Sequence, residues 1–84
     1  MITTLDRLTV TITGTLKKMD RSTAFSLIRN EGGYPKKKMA LDVDVLIITD
    51  EKWNSSTIKI RKAMNSPYTE IMSESEFYDL VGRK

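Results

Sequence analysis

The feature that most constrains this chain is an apolar run in its middle, Val43, Val45, Leu46, Ile47 and Ile48, closed by Thr49-Asp50. A strand with one face in water alternates apolar and polar residues. A nearly continuous apolar strand is covered on both faces, as in a parallel sheet held between helices. Parallel neighbours need long crossovers, so the remaining sequence has to provide helices between its strands. The run is the expected centre of the core.

The rest of the chain meets that demand. In Leu8-Thr-Val-Thr-Ile-Thr-Gly-Thr15, Leu8, Val10 and Ile12 alternate with Thr9, Thr11 and Thr13, the period of a strand with an apolar and a more polar face. Gly14 ends it. Asp20 or Ser22 can cap a helix whose stripe is Ala24, Leu27 and Ile28 with Phe25 beside it, and Gly32-Gly33 suits its C-terminal exit. Tyr34 to Lys38 reads as a sheet-edge strand, because Pro35 cannot donate to a ladder and three lysines discourage further pairing.

Beyond the central run, Glu51 to Ser56 is a polar connection carrying Trp53. A helix from Ser55 or Ser56 to Met64 or Asn65 follows, with Ile60, Ala63 and Met64 inward and Lys59, Arg61 and Lys62 largely outward. Asn65-Ser-Pro67 breaks it, Tyr68 to Met72 is a short strand, and Ser73-Glu-Ser-Glu76 is a capping box. The final helix has an apolar face of Phe77, Leu80 and Val81, with Glu74 near its positive end and Arg83 and Lys84 near its negative end. The order β-α-β-β-α-β-α predicts an α/β fold: a four-stranded, mainly parallel sheet flanked by about three helices. Residues 1–7 read as a lead-in and 8–84 as one domain.

The 84 residues include no Cys and no His. That removes disulfides, thiolate metal sites, the Ser-His-Asp triad and the commonest general base, so neither an enzyme nor a cofactor or metal site is expected. Asp42 and Asp44 flank a strand start and read as solvated turn residues. Fourteen Lys and Arg against eleven Asp and Glu give +3, a mild excess that favours phosphate-bearing partners and equally fits a solvated surface. No run approaches a membrane span and the first residues lack signal-peptide zones, so a soluble, intracellular chain is expected.

One corner of the sequence stands out chemically. The strand ending in Thr13-Gly14 is followed closely by Lys17, Lys18 and Arg21, which brings a hydroxyl, an unobstructed backbone N–H and several cations into one neighbourhood. A phosphate dianion takes short charge-assisted hydrogen bonds, glycine lets backbone approach it, and the N-terminus of the following helix could add its positive end. The combination reads as a candidate anion-binding corner, and each residue singly also fits an ordinary strand end, turn or solvated helix position.

The segments Val10–Thr15, Arg21–Ile28, Gly32-Gly33, Asp42–Ile48, Lys59–Ala63 and Ile71–Phe77, in this order and near this spacing, resemble a BRCT domain. The likeness is strongest to the copy found in bacterial NAD-dependent DNA ligases and in the large subunit of the clamp loader. No Lys-x-Asp-Gly motif is present, so the resemblance implies a binding module without catalysis. It places phosphate recognition on Thr13, Gly14 and Lys59, and, by the type that reads 5′-phosphorylated DNA ends, on Arg21. Lys17, Lys18 and Lys62 become candidate contacts to the DNA backbone.

What the resemblance implies is a monomeric module for DNA replication or repair that binds DNA bearing a 5′-phosphate. The alternative is a protein-protein or phosphopeptide interaction module, including one cut from a larger ligase or repair protein. Localisation would be cytoplasmic for a bacterial or phage ligase relative and nuclear for a eukaryotic one.

Overall fold

The computed structural model describes residues 3–38, 40, 42–53 and 69–82. Its elements are β1 (Thr9–Thr13), α1 (Arg21–Asn30), β2 (Tyr34–Lys36), β3 (Val45–Ile48), a 3₁₀ turn (Asp50–Lys52), β4 (Glu70–Ser73) and α2 (Glu74–Val81). The strands form one all-parallel sheet in the order β2-β1-β3-β4. The α/β architecture expected from the central apolar run is therefore present. The helix expected over residues 55–65 lies outside the described residues.

Register explains the burial. Val10 pairs with Val45, and Ile12 with Ile47 and through it Met72, so these residues share one sheet face. That face carries the main core, closed by Ala24 and Ile28 of α1 and by Phe77 and Leu80 of α2. The opposite face presents Thr11, Leu46, Thr13 and Ile48, and Val43, Leu46 and Ile48 form a second apolar cluster. Thr11 and Thr13 are buried there, so the more polar face of β1 is not a wet one. The Thr11 hydroxyl meets the requirement for a partner by donating to Lys36 O at 2.7 Å.

β2 lies at the sheet edge, with Pro35 opposite Val10, and is shorter than the expected Tyr34–Lys38: Lys37 and Lys38 fall beyond it. Residues before β1 do more than lead in. Leu5 is fully buried in the main core, and Arg7 N donates to Gly32 O at 2.9 Å. Asp44 also departs from its reading as a solvated turn residue. It is half-buried, and its Oδ2 accepts from Thr9 N at 2.8 Å, occupying the first amide of β1. Asp42 is exposed and pairs with Lys36 at 2.8 Å.

Both described helices are closed by side-chain chemistry that the sequence foreshadows. Asp20, rather than Ser22, caps α1 by accepting from Thr23 N at 2.8 Å. At the other end Gly32 N donates to Arg29 O and Gly33 N to Ile28 O, both at 2.9 Å, with Gly32 at φ +87. That is the paired closure in which a left-handed residue turns the chain out of a helix. In α2 the Ser73 hydroxyl accepts from Glu76 N while Glu76 Oε1 accepts from Ser73 N, each at 3.1 Å.

Gly32→Ala is expected to lower unfolding stability by roughly 1 kcal/mol or more, because a side chain is strained at positive φ. A new Cβ would also stand 2.2 Å from Asp6 Oδ1. Urea denaturation followed by circular dichroism measures the loss, and a variant as stable as the parent would contradict it.

Candidate functional site

In the order β2-β1-β3-β4, the chain leaves β1 toward β2 on one side, and later enters β3 on the other side of β1. The C-terminal ends of β1 and β3 thus flank a topological switch point, where connections diverge and open α/β sheets leave a crevice for ligands. Thr13-Gly14 sits at the end of β1, and Thr49 follows β3 directly beside it, with Thr49 N donating to Thr13 O at 3.1 Å.

A cleft of about 470 Å³ opens here, lined among others by Thr13, Gly14, Leu16, Arg21 and Lys52. Three of the four residues expected to bind phosphate are therefore gathered in one place. Arg21, the first residue of α1, is exposed, and its Nη2 donates to Gly14 O at 3.3 Å. A guanidinium held by one long bond has donors left for an anion. The fourth expected residue, Lys59, and the candidate backbone contact Lys62 both lie outside the described residues.

Gly14 is dictated by two separate constraints. Its φ is +96, and a Cβ added there would lie 1.9 Å from Thr49 Oγ1 and 2.7 Å from Lys52 Cγ. The connection following β3 thus packs directly on the glycine. Thr49 is fully buried and its hydroxyl has no hydrogen-bond partner among the described residues, an uncommon state for a buried polar atom. Thr49 and Lys52 were not among the residues singled out from sequence. They become visible only when β1 and β3 are known to be adjacent, since the two connections are distant in the chain.

The N-terminus of α1 is already partly capped. The Asp20 carboxylate already accepts from Thr23 N, and its hydrogen bonds to Thr23 hold its pKa below the usual value. Asp20 and Glu51 also line the cleft, which makes its rim mixed in charge. Arg21 and Lys52 are the cations of the cleft among the described residues.

Lys17 and Lys18 are turned to a neighbouring cleft. Lys17 Nζ pairs with Asp50 Oδ2 at 2.9 Å, and that hydrogen bond, together with the charge of Asp50, raises the lysine pKa. Lys18 Nζ stands 5.1 Å from the centre of the Tyr78 ring. The floor of this cleft is Glu74, expected from sequence only as a helix-end charge but in fact just 1% exposed. Its Oε2 accepts from Lys17 N at 2.8 Å and from the Tyr78 hydroxyl at 2.5 Å, and its Oε1 accepts from Asp50 N at 3.0 Å. One carboxylate on α2 thereby holds the connections that follow β1 and β3, the two that build the candidate site.

Burial pushes the Glu74 carboxyl up. The Tyr78 hydroxyl, the amides of Lys17 and Asp50 and the nearby Lys17 charge outweigh burial and hold it below its ordinary 4.5. The Tyr78 hydroxyl moves the other way, raised by burial and by its bond to Glu74. Among the described residues no cluster of three or more acidic side chains could hold a metal ion. No helix among them is long and apolar enough to cross a membrane.

The geometry defines a parallel α/β domain with an open cleft at its switch point. Comparison with protein-family models finds no match to this chain, and comparison with curated proteins finds none either.

Glu74→Ala would leave two amides and a phenol without their acceptor. A loss of roughly 3 kcal/mol is expected, since an orphaned buried donor costs about 1–3 kcal/mol. Because the folded carboxyl titrates below 4.5, its stabilisation is complete above that pH and is lost as pH falls through the lowered folded value. Thermal melts from pH 7 to pH 3 should therefore decline below about 4.5, and less steeply in Glu74→Gln. Parallel declines in the two proteins would contradict the assignment.

Proposed function

We propose that this chain is a non-catalytic, BRCT-like module that recognises the phosphate of a 5′-phosphorylated DNA end or nick, in replication or repair. The observation that carries this reading is the convergence of Thr13, Gly14 and the Arg21 guanidinium at the switch point between β1 and β3.

Each has a chemical task in that reading. Gly14 sets the shape of the corner, because Thr49 and Lys52 pack where its side chain would stand, and Thr13 offers a hydroxyl at the strand end. Arg21 exchanges its 3.3 Å bond to Gly14 O for shorter bonds to a dianion. Guanidinium-phosphate pairing is charge-assisted and can be bidentate, which favours a terminal phosphate with several free oxygens. The BRCT resemblance assigns Lys59 the role of a further point charge. Lys52, which also lines the cleft, adds a further cation that the sequence alone did not single out.

Fluorescence anisotropy with duplexes identical except for a 5′-phosphate or 5′-hydroxyl tests the reading: the phosphorylated end should bind more tightly. Arg21→Glu and Lys59→Glu should each weaken that binding by roughly 10- to 100-fold, as hydrogen bonds to charged groups contribute about 1.5–3 kcal/mol. Equal affinity of the parent protein for both ends would overturn end recognition.

A further inference from the structure

Arg21 lines a second cleft besides the one at Gly14. This groove, about 440 Å³, is formed by Arg21, Ser22, Phe25, Arg29 and Lys37. Arg21, Phe25 and Arg29 recur every four residues along α1, so they form one stripe on the helix surface. Lys37 approaches from the end of edge strand β2. Arg21, Arg29 and Lys37 are exposed, while Phe25 is half-buried and packs against the main core.

No ion pair among the described residues neutralises this groove. Among the described residues the ion pairs are Lys17–Asp50 and Lys36–Asp42, and neither involves a cation of the groove. None of its five lining residues is acidic. Three cations on one face, without an acidic partner among the described residues, make a strip of positive charge that begins where the Gly14 corner ends.

The dimensions separate one class of ligand from another. Eight residues of helix between Arg21 and Arg29 span about 12 Å. A single phosphate at Gly14 reaches Arg21 and cannot also reach Arg29. Phosphates on one strand of duplex DNA recur about every 3.4 Å along its axis, so a strand anchored at Arg21 brings further phosphates alongside Arg29 and Lys37.

We infer that the Arg21–Arg29–Lys37 groove is a backbone track for a nucleic-acid strand, carrying the phosphates that follow the one held at the Gly14 corner. The ligand is then an extended polyanion rather than a singly phosphorylated peptide. This deepens the end-recognition reading and rests on it for where the track starts. The corner reads the end and the track contributes affinity that is blind to it.

The test is the salt dependence of duplex binding by the parent chain and by Arg29→Ala/Lys37→Ala. Each phosphate neutralised contributes about 0.9 to the log-log slope, so the double variant should bind with a slope shallower by roughly two. Its affinity should fall by the same factor for 5′-phosphate and 5′-hydroxyl duplexes. Circular dichroism of the variant checks that the fold is retained, which exposed positions should allow. An unchanged slope in a folded variant overturns the track, whatever the end preference. Loss of end preference in the parent with the slope change intact overturns the corner alone. Binding of a monophosphorylated peptide without binding of duplex would also overturn the track.

Discussion

The interaction on which the rest of this structure depends is the buried carboxylate of Glu74. It stands at the start of α2, immediately after β4, and accepts from the amides of Lys17 and Asp50 and from the Tyr78 hydroxyl. Burying an ionised carboxylate alone would be prohibitive, and three donors with a neighbouring ammonium make the charged form the stable one. Lys17 belongs to the connection after β1, and Asp50 to the connection after β3. Their positions are therefore set from a third element, distant in sequence from both.

Among the described residues, that arrangement leaves the rim of the switch point open. Loops are usually the least ordered part of a parallel α/β domain, and binding sites built on loops need a rigid support behind them. Here the support lies on the α2 side while Thr13, Gly14, Arg21 and Lys52 line the opening. Gly14 fixes the remaining degree of freedom, since the connection after β3 rests on its α-carbon and leaves no room for a side chain.

Cations in this molecule divide by their partners. Lys17 and Lys36 are neutralised by Asp50 and Asp42, and Lys18 lies over the Tyr78 ring. Arg29 and Lys37 have no such acidic partner among the described residues, and Arg21 meets a backbone carbonyl. A net charge of +3 thus understates the potential on the α1 side of the molecule. Position decides which positive charges are available to a ligand; their number does not.

The sequence by itself determined the elements and their ends. The apolar Val45–Ile48 run reads as a doubly covered strand, the Ser73–Glu76 spacing as a reciprocal cap, and Gly32-Gly33 as a helix exit through a left-handed turn, and all three are present. These are local facts, governed by periodicity and by hydrogen bonds a few residues apart. It also indicated Thr13, Gly14 and Arg21, because they lie within one short stretch. Only the tertiary structure decided the roles of Leu5, Asp44, Thr49, Lys52 and Glu74. Each acts on a segment distant from it in the chain, through the strand order β2-β1-β3-β4. Strand order is set by how whole faces pack, and no local pattern encodes it. A buried acid and a solvated one look the same in sequence until the elements around them are placed.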